Sequence, residues 1–380
     1  MPKVVILDAN SRVSLTIVRA LGLKGLNVVV VGVDGWRNFC FKSKYSKKNY
    51  TFVDYRSNPE GYLDSLISIL NKDDVVIPVS INTILFISKH QERLRGVAKF
   101  LLPDVDKIDL VNNKANLANL AKELDIPHPR TFILSSLDEL SKLNGYLNYP
   151  LIIKFRVDQG LYFYPRKRYK IVENKEQLIK SYKEMAACQE LPVIQEVVNG
   201  DSYAVSMLVD ADSNIKASFM HKRIRTYPYR GGPSSLCESC YKKELVDCAK
   251  KIVNSIKWKG IINFEFKYDE VSGKFYLIEI NPRFWGSLSL AIESDINFPY
   301  LLYLILAGKQ FDSNMDYQLN KRMRFLVQDM LSATEGIIAH GDLKCFCRFV
   351  KDIFSPSIRE GTLQINDIKG SLAYLKSKIL

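Results

Sequence analysis

Gly260-Ile-Ile-Asn-Phe-Glu-Phe266, Asp269-Glu-Val-Ser-Gly273 and Tyr276-Leu-Ile-Glu-Ile-Asn-Pro-Arg283 form the stretch from which the rest of the chain can be read. Two apolar, β-prone runs flank a segment with the composition of a hairpin loop. A hairpin symmetric about Ser272 sets Glu265 opposite Glu279 and Asn263 opposite Asn281, and strand alternation puts all four on one face. Facing carboxylates repel unless a cation or a shared proton lies between them. Two carboxylates and an amide oxygen on a rigid hairpin suit a hard cation such as Mg²⁺, which keeps water and phosphate oxygens among its ligands. Glu265, Glu279 and Asn281 are therefore candidate metal ligands. Arg283, just beyond, is placed to neutralise a phosphoryl group in transfer. The competing reading is the solvent-facing side of an ordinary hairpin, against which the Asn-Pro-Arg exit, with no evident packing purpose, weighs.

Working outward, Val4 to Leu7 is a short β-branched run, Asp8-Ala9-Asn10-Ser11 is turn and cap chemistry, Val13 to Leu23 has helical spacing, and Asn27 to Val33 is a buried strand. Val75 to Val79 repeats the strand pattern and runs into a polar loop at Ser80-Ile81-Asn82, and Phe100 to Pro103 repeats it again. Strands alternating with helices imply a parallel sheet with ligands near its carboxyl ends, so the loops Asp8 to Arg12 and Ser80 to Thr83 are candidates for substrate contact. The turn after the first strand lacks G-x-G-x-x-G, which counts against a nicotinamide dehydrogenase. Asp104 to Asp109 reads as a domain junction before a helix from Asn112 to Leu124. An α+β region follows, with strands at Leu151 to Phe155, Val193 to Val197, Tyr203 to Val209, Ile261 to Lys267 and Phe275 to Ile280. The expected domains are 1–105, 106–310 and a helical extension over 311–380.

The 380 residues are 47% hydrophobic and 25% charged, the balance of a folded globular chain. The longest apolar stretch, Phe298 to Ala307, is too short for the ~20 residues of a spanning helix. No signal-peptide core opens the sequence, so the cytoplasm is the expected compartment. A formal charge of +13 suits nucleic acid, anionic membrane or phosphorylated ligands without choosing among them. Seven cysteines do not suggest a disulfide framework, and the four histidines include no pair with zinc-hydrolase spacing. Chemistry is left to carboxylates, lysines and arginines.

Glu265, Glu279, Asn281 and Arg283, in that order, resemble the metal-binding end of the ATP-grasp superfamily. The resemblance covers roughly residues 1 to 310 and implies a parallel-sheet domain followed by two α+β subdomains with the nucleotide between them. Lys114 and Lys154 match the two family lysines that touch ATP phosphates. Pro192-Val-Ile-Gln-Glu-Val-Val198 resembles the hinge that holds adenine and ribose, which brings in Gln195, Glu196 and the backbone of Val198. The chain departs from the family where many members carry a glycine-rich loop over the phosphates. Arg156 to Lys170 contains only Gly160 and is rich in tyrosine and basic residues, among them Lys167, Arg168 and Lys170.

His221-Lys-Arg-Ile-Arg-Thr-Tyr-Pro-Tyr-Arg-Gly-Gly-Pro-Ser-Ser235 alternates basic residues at Arg223 and Arg225 on a strand end, then reads as a Gly-Gly-Pro loop and a helix capped near Ser234 or Ser235. Convergent arginines and free helix amides would form an anion site. With Phe354 to Leu363, this segment resembles the carboxylate-amine ligase branch that contains D-aspartate ligase.

The resemblance implies an ATP-dependent ligase forming a carbon–nitrogen bond. Mg-ATP, with Mn²⁺ a possible substitute, would convert a carboxylate to an acyl phosphate that an amine then attacks, releasing ADP and phosphate. Arg283 would steady the migrating group, with Lys222 and Arg225 orienting substrate or phosphate. The expected partners are a small-molecule or peptide carboxylate and an amine; nucleic acid and a membrane span are not expected, and an oligomer is left open. The rival is a nucleotide-sensing or RNA-binding protein on the same scaffold, with the basic run Arg37 to Arg56 as its surface. A zinc site from Cys237, Cys240, Cys345 and Cys347 is disfavoured by their loose spacing.

Overall fold

The hairpin forms in the register that the spacing of its polar residues requires. In the computed structural model, which describes residues 2–143, 147–157, 168–229, 231–311 and 316–379, strands Gly260–Asp269 and Lys274–Asn281 pair antiparallel. Glu265 faces Glu279 and Asn263 faces Asn281. The tip is tighter than symmetry about Ser272 would make it, because Asp269 pairs with Lys274. A bulge compensates: Glu265 pairs with Glu279 and Phe266 with Leu277, so Ile278 is the extra residue that resets the register.

This hairpin is one edge of a seven-stranded sheet. The order runs from Lys274–Asn281 through Gly260–Asp269, Ser202–Val209, Ile215–Thr226, Ser234–Ser239 and Arg322–Arg324 to Ile358–Glu360. A second sheet, antiparallel throughout, has the order Thr131–Ile133, Val193–Glu196, Leu151–Lys154, Tyr169–Val172. The N-terminal sheet is parallel, as the strand–helix alternation implies, in the order Lys48–Phe52, Asn27–Val33, Lys3–Ile6, Val75–Ile77. Phe100 to Pro103 does not join it: Lys99 makes a single bridge to Val75, and Pro103 has no N–H to extend a ladder. The junction at Asp104 to Asp109 is itself helical, lying in Val105–Asn112, and Lys114–Glu123 follows with the Asn113 side chain accepting from Ala115 N.

The C-terminal segment has the expected helices Leu326–His340, Leu343–Ile353 and Ile368–Ile379, and it also supplies two strands to the main sheet. One apolar cluster joins Val4 and Ile6 of the first sheet to Leu208 and Phe219 of the main sheet and to Met323, Phe325 and Tyr374 near the end of the chain. Two bonds tie the basic run near residue 40 to the end of the chain, while the side chains of Lys42, Lys44, Lys47 and Lys48 stay exposed. Lys44 N–H donates to Asp367 Oδ1, and Arg37 Nη1 donates to the Ser377 carbonyl.

A buried ion pair pins the two ends of the chain together. Arg19 Nε meets Asp367 Oδ2 at 2.8 Å, and Asp367 also accepts from Ser43 Oγ at 2.8 Å. Burial works to raise the Asp367 pKa, but the Lys44 N–H, Arg19 and Ser43 outweigh it and leave it below the ordinary value. Removing one partner strands a buried charge, so Asp367→Ala should cost ~3–5 kcal/mol in equilibrium denaturation. A loss below about 1 kcal/mol would show that this junction does not hold the termini.

Candidate functional site

Strand alternation decides which side chains reach the carboxylate pair. Glu265 lies in register with Ala204 and His221, and Lys267 with Ser202 and Arg223, so these side chains share one face of the main sheet. The opposite face carries Val205, Met220, Phe264 and Phe266, packed on the helix Lys243–Ile256 through Leu245, Ala249 and Ile252.

On the carboxylate face, Arg223 Nη2 pairs with Glu265 Oε1 at 2.6 Å. Asn281 Nδ2 donates to the same oxygen at 3.2 Å, and Arg283 Nη2 donates to Asn281 Oδ1 at 3.0 Å. Asn263, almost fully buried, accepts from Ser206 Oγ at 2.9 Å. Two lysines come from other elements. Lys114, at the start of its helix, places Nζ 3.9 Å from Glu279 Oε1, and its backbone N–H donates to the Arg156 carbonyl. Lys154 ends its strand in the second sheet. Burial lowers its pKa to about 8; Glu279 and Glu265 oppose the shift, whereas Lys114 and Lys267 add to it. Lys267 donates to the Val198 carbonyl at 2.9 Å, and burial and Arg223 lower its pKa too. The chain thus gathers Lys114, Lys154, Lys267, Arg223 and Arg283 around Glu265 and Glu279.

Among the described residues no group of three or more His, Cys, Asp or Glu could hold a metal. Two carboxylates and an amide oxygen fit Mg²⁺ on other grounds, because that ion fills its remaining positions with water and phosphate oxygens. Glu265, Glu279 and Asn281 would hold it by exchanging their present contacts with Arg223, Lys114 and Arg283.

The hinge segment is only partly aligned with this cleft. Val193 pairs with Lys154, so Gln195, two residues on, shares the Lys154 face; its Nε2 donates to Thr131 Oγ1 and its buried Oε1 has no partner among the described residues. Glu196 falls on the alternate side of the pleat, with its backbone N–H bonded to the Arg130 carbonyl.

Three expectations need correction. Lys222 lies on the helix-covered face, opposite the carboxylates, where it pairs with Asp201 and lies over the Tyr203 ring. Arg225 is held by Asp329, through Nε at 2.8 Å and Nη2 at 2.7 Å, and by Asp352 at 2.5 Å. A guanidinium so matched binds the C-terminal helices to the sheet and is not available to orient a ligand. Arg223 reaches the site instead. Its place between His221 and Arg225 in a period-two pattern was the available signal, and Lys267, two residues after Glu265, was readable by the same rule. The expected helix at Ser234 or Ser235 is the strand Ser234–Ser239, so no helix amides face an anion there; Ser235 Oγ donates to Asp329. Lys170 pairs with Glu184 on the surface. Gly160, Lys167 and most of the flap lie outside the described residues. Asp8 of the first candidate substrate loop is fully used, accepting from Val79 N, Ser80 N and Thr83 Oγ1.

Residues 188–329 match the family described as ATP-grasp in the biosynthetic pathway with Ter operon. D-aspartate ligase of Enterococcus faecium is 26% identical over 215 residues, 52% of this chain and 50% of that protein. The carbamoyl phosphate synthase large chain of Clostridium acetobutylicum is 24% identical over 266 residues, 65% of this chain and 24% of that protein. The matched region therefore spans half or less of these relatives. The biotin carboxylase domain of 2-oxoglutarate carboxylase from Hydrogenobacter thermophilus, solved with MgADP and bicarbonate, superposes with a TM-score of 0.66 at 17% identity, covering 84% of this chain and 73% of that one.

Lys154 gives this cleft a pH signature. Burial brings its pKa to about 8, and a polyphosphate bound beside it would need the ammonium charged. ATP affinity at fixed free Mg²⁺ should therefore fall above pH 8, approaching about tenfold per unit, with proton uptake on binding. Lys154→Arg should flatten the profile. Calorimetry between pH 7 and 9.5 checks this, and a wild-type profile as flat as that of the arginine variant would contradict it.

Proposed function

We propose that this chain, which has the ATP-grasp fold, is an ADP-forming ligase that joins a carboxylate to an amine through an acyl phosphate. The observation that carries the reading is the charge balance of the cleft. Among the described residues, Lys114, Lys154, Lys267, Arg223 and Arg283 surround only Glu265 and Glu279, and burial depresses the pKa of two of the lysines. Such an excess of cations calls for a polyanion together with a metal that binds the carboxylates, and Mg-nucleotide meets both needs. Mg²⁺, when bound, would offset charge on the phosphates. Lys114 and Lys154 approach the phosphates from different subdomains, and Gln195 lies on the Lys154 side of the hinge strand.

In the proposed reaction a carboxylate oxygen attacks the γ-phosphorus, the bond from that phosphorus to the β,γ-bridging oxygen breaks, and ADP leaves. The amine nitrogen then attacks the acyl carbon, the carbon–oxygen bond to phosphate breaks, and the amine gives up a proton. Arg283 neutralises charge on the transferring group, and Arg223 meets the carboxylate. Phosphoryl transfer of this kind depends on positioning and charge neutralisation, so no side-chain nucleophile is needed. The similarity to D-aspartate ligase supports the choice of a carboxylate and an amine as substrates.

The test begins with an ADP-release screen over carboxylate and amine pairs and continues with ¹⁸O in the carboxylate of the active pair. Label should appear in inorganic phosphate, and Glu279→Gln should slow turnover at least about tenfold, or ~1.4 kcal/mol of barrier. Release of AMP and pyrophosphate, or label in AMP, would overturn the mechanism.

A further inference from the structure

On the carboxylate face, Arg223 is in register with Cys237, and Cys237 with Met323. Phe325 lies two residues beyond Met323 and packs in the same apolar cluster as both Cys237 and Met323. The Arg12 guanidinium, from the first turn of the N-terminal helix Arg12–Gly22, stacks 3.8 Å from the centre of the Phe325 ring. A Cβ at Gly286 would stand 3.2 Å from Arg12 Nη2 and 4.0 Å from Pro233 Cβ. The glycine therefore lets the guanidinium of one domain come up against the loop that follows Arg283.

Among the described residues Arg12 has no matching anion. Its Nη1 is buried without a hydrogen-bond partner among the described residues, and so is Nε of Arg223. Glu360, an electrostatic neighbour, already accepts from the backbone N–H groups of Leu326, Thr362 and Leu363 at 2.9–3.1 Å. Burial raises the Cys237 thiol to about 12, and Arg12 and Arg223 both act to lower it, which places the two guanidiniums within electrostatic reach of one sulfur atom. Leaving a buried guanidinium unpaired is costly, and its planar fork matches a carboxylate in two parallel hydrogen bonds. Lys114 and Lys154 approach the carboxylate pair from other elements, so Arg12 is not required for the polyphosphate.

We propose that Arg12 binds a second, non-reacting carboxylate of the acid substrate, so that the chain selects a dicarboxylic acid, or an amino acid with one carboxylate held and another activated. The held group lies at Arg12 over Phe325, and the reacting group lies toward Arg223 and Arg283. The inference rests on the ligase reading above for the fate of the reacting group, whereas the binding it requires can be measured without turnover.

The experiment titrates the full chain, with Mg²⁺ and ADP present, with succinate, glutarate and the aspartate enantiomers, each compared with its monoamides. At least one diacid should bind ten times more tightly than its monoamide to the wild type. Arg12→Gln should abolish that preference and leave ADP affinity unchanged, and Arg12→Lys should restore part of it. ADP release with amines is followed in parallel, where the Gln variant should raise KM for the diacid far more than it lowers kcat. No diacid preference in the wild type, an undiminished preference in Arg12→Gln, or turnover confined to monocarboxylates would overturn the pocket. Diacid binding that depends on Arg12, without ADP release for any amine, would retain the pocket and overturn the ligase reading. Should the Gln variant not fold, as judged by lost ADP binding, the Lys variant decides: a preference at the wild-type level would overturn the role of the guanidinium fork.

Discussion

Glu265 and Glu279 face each other across a hairpin whose bulge at Ile278 fixes their register, and two ionised carboxylates so placed destabilise the hairpin unless positive charge surrounds them. The rest of the site can be read as the answer to that constraint. Arg223 and Lys267 come up from the same sheet face, Arg283 bonds the neighbouring amide, Lys114 comes from a helix start, and Lys154 reaches across from the second sheet. Three elements of the fold thus converge on one pair of like charges. Their convergence leaves more positive than negative charge, and that surplus is what a polyphosphate would neutralise.

The same strand geometry sorts the basic segment His221 to Arg225 into different tasks. Odd positions 221 and 223 lie on the cleft face, Lys222 points to the helix-packed face, and an irregular register after Arg223 turns Arg225 toward Asp329. Neighbouring residues of like charge therefore do unlike things: Arg223 binds a candidate metal ligand, Arg225 binds the C-terminal helices, and Lys222 neutralises Asp201. A reading by composition alone cannot separate them, because only pleat and pairing do so.

Much of the architecture was legible because its signals are local. The β-branched runs at Val4, Asn27 and Val75 announce buried parallel strands, and Glu265, Asn263, Glu279 and Asn281 have a spacing that a single hairpin satisfies. Ser234 misled because a serine after Gly-Gly-Pro is good cap chemistry, and the strand it actually begins is stabilised by a partner eighty-odd residues later, Leu236 with Arg324. The two C-terminal strands were missed for the same reason. Each is three residues long and exists only as an addition to a sheet already built. Arg12 is legible in the sequence only as part of a loop, since its stacking on Phe325 and its approach to Gly286 are contacts between distant segments.

On the proposed function the facing carboxylates bind a metal–nucleotide complex. Mn²⁺ in place of Mg²⁺ allows it to be tested without any knowledge of the acid or the amine, by electron paramagnetic resonance of the ternary complex with ATP. The account predicts an ATP-dependent bound Mn²⁺ signal in the wild type that is lost when Glu265 and Glu279 are both changed to Gln. An identical ternary signal and affinity in that double variant would contradict it.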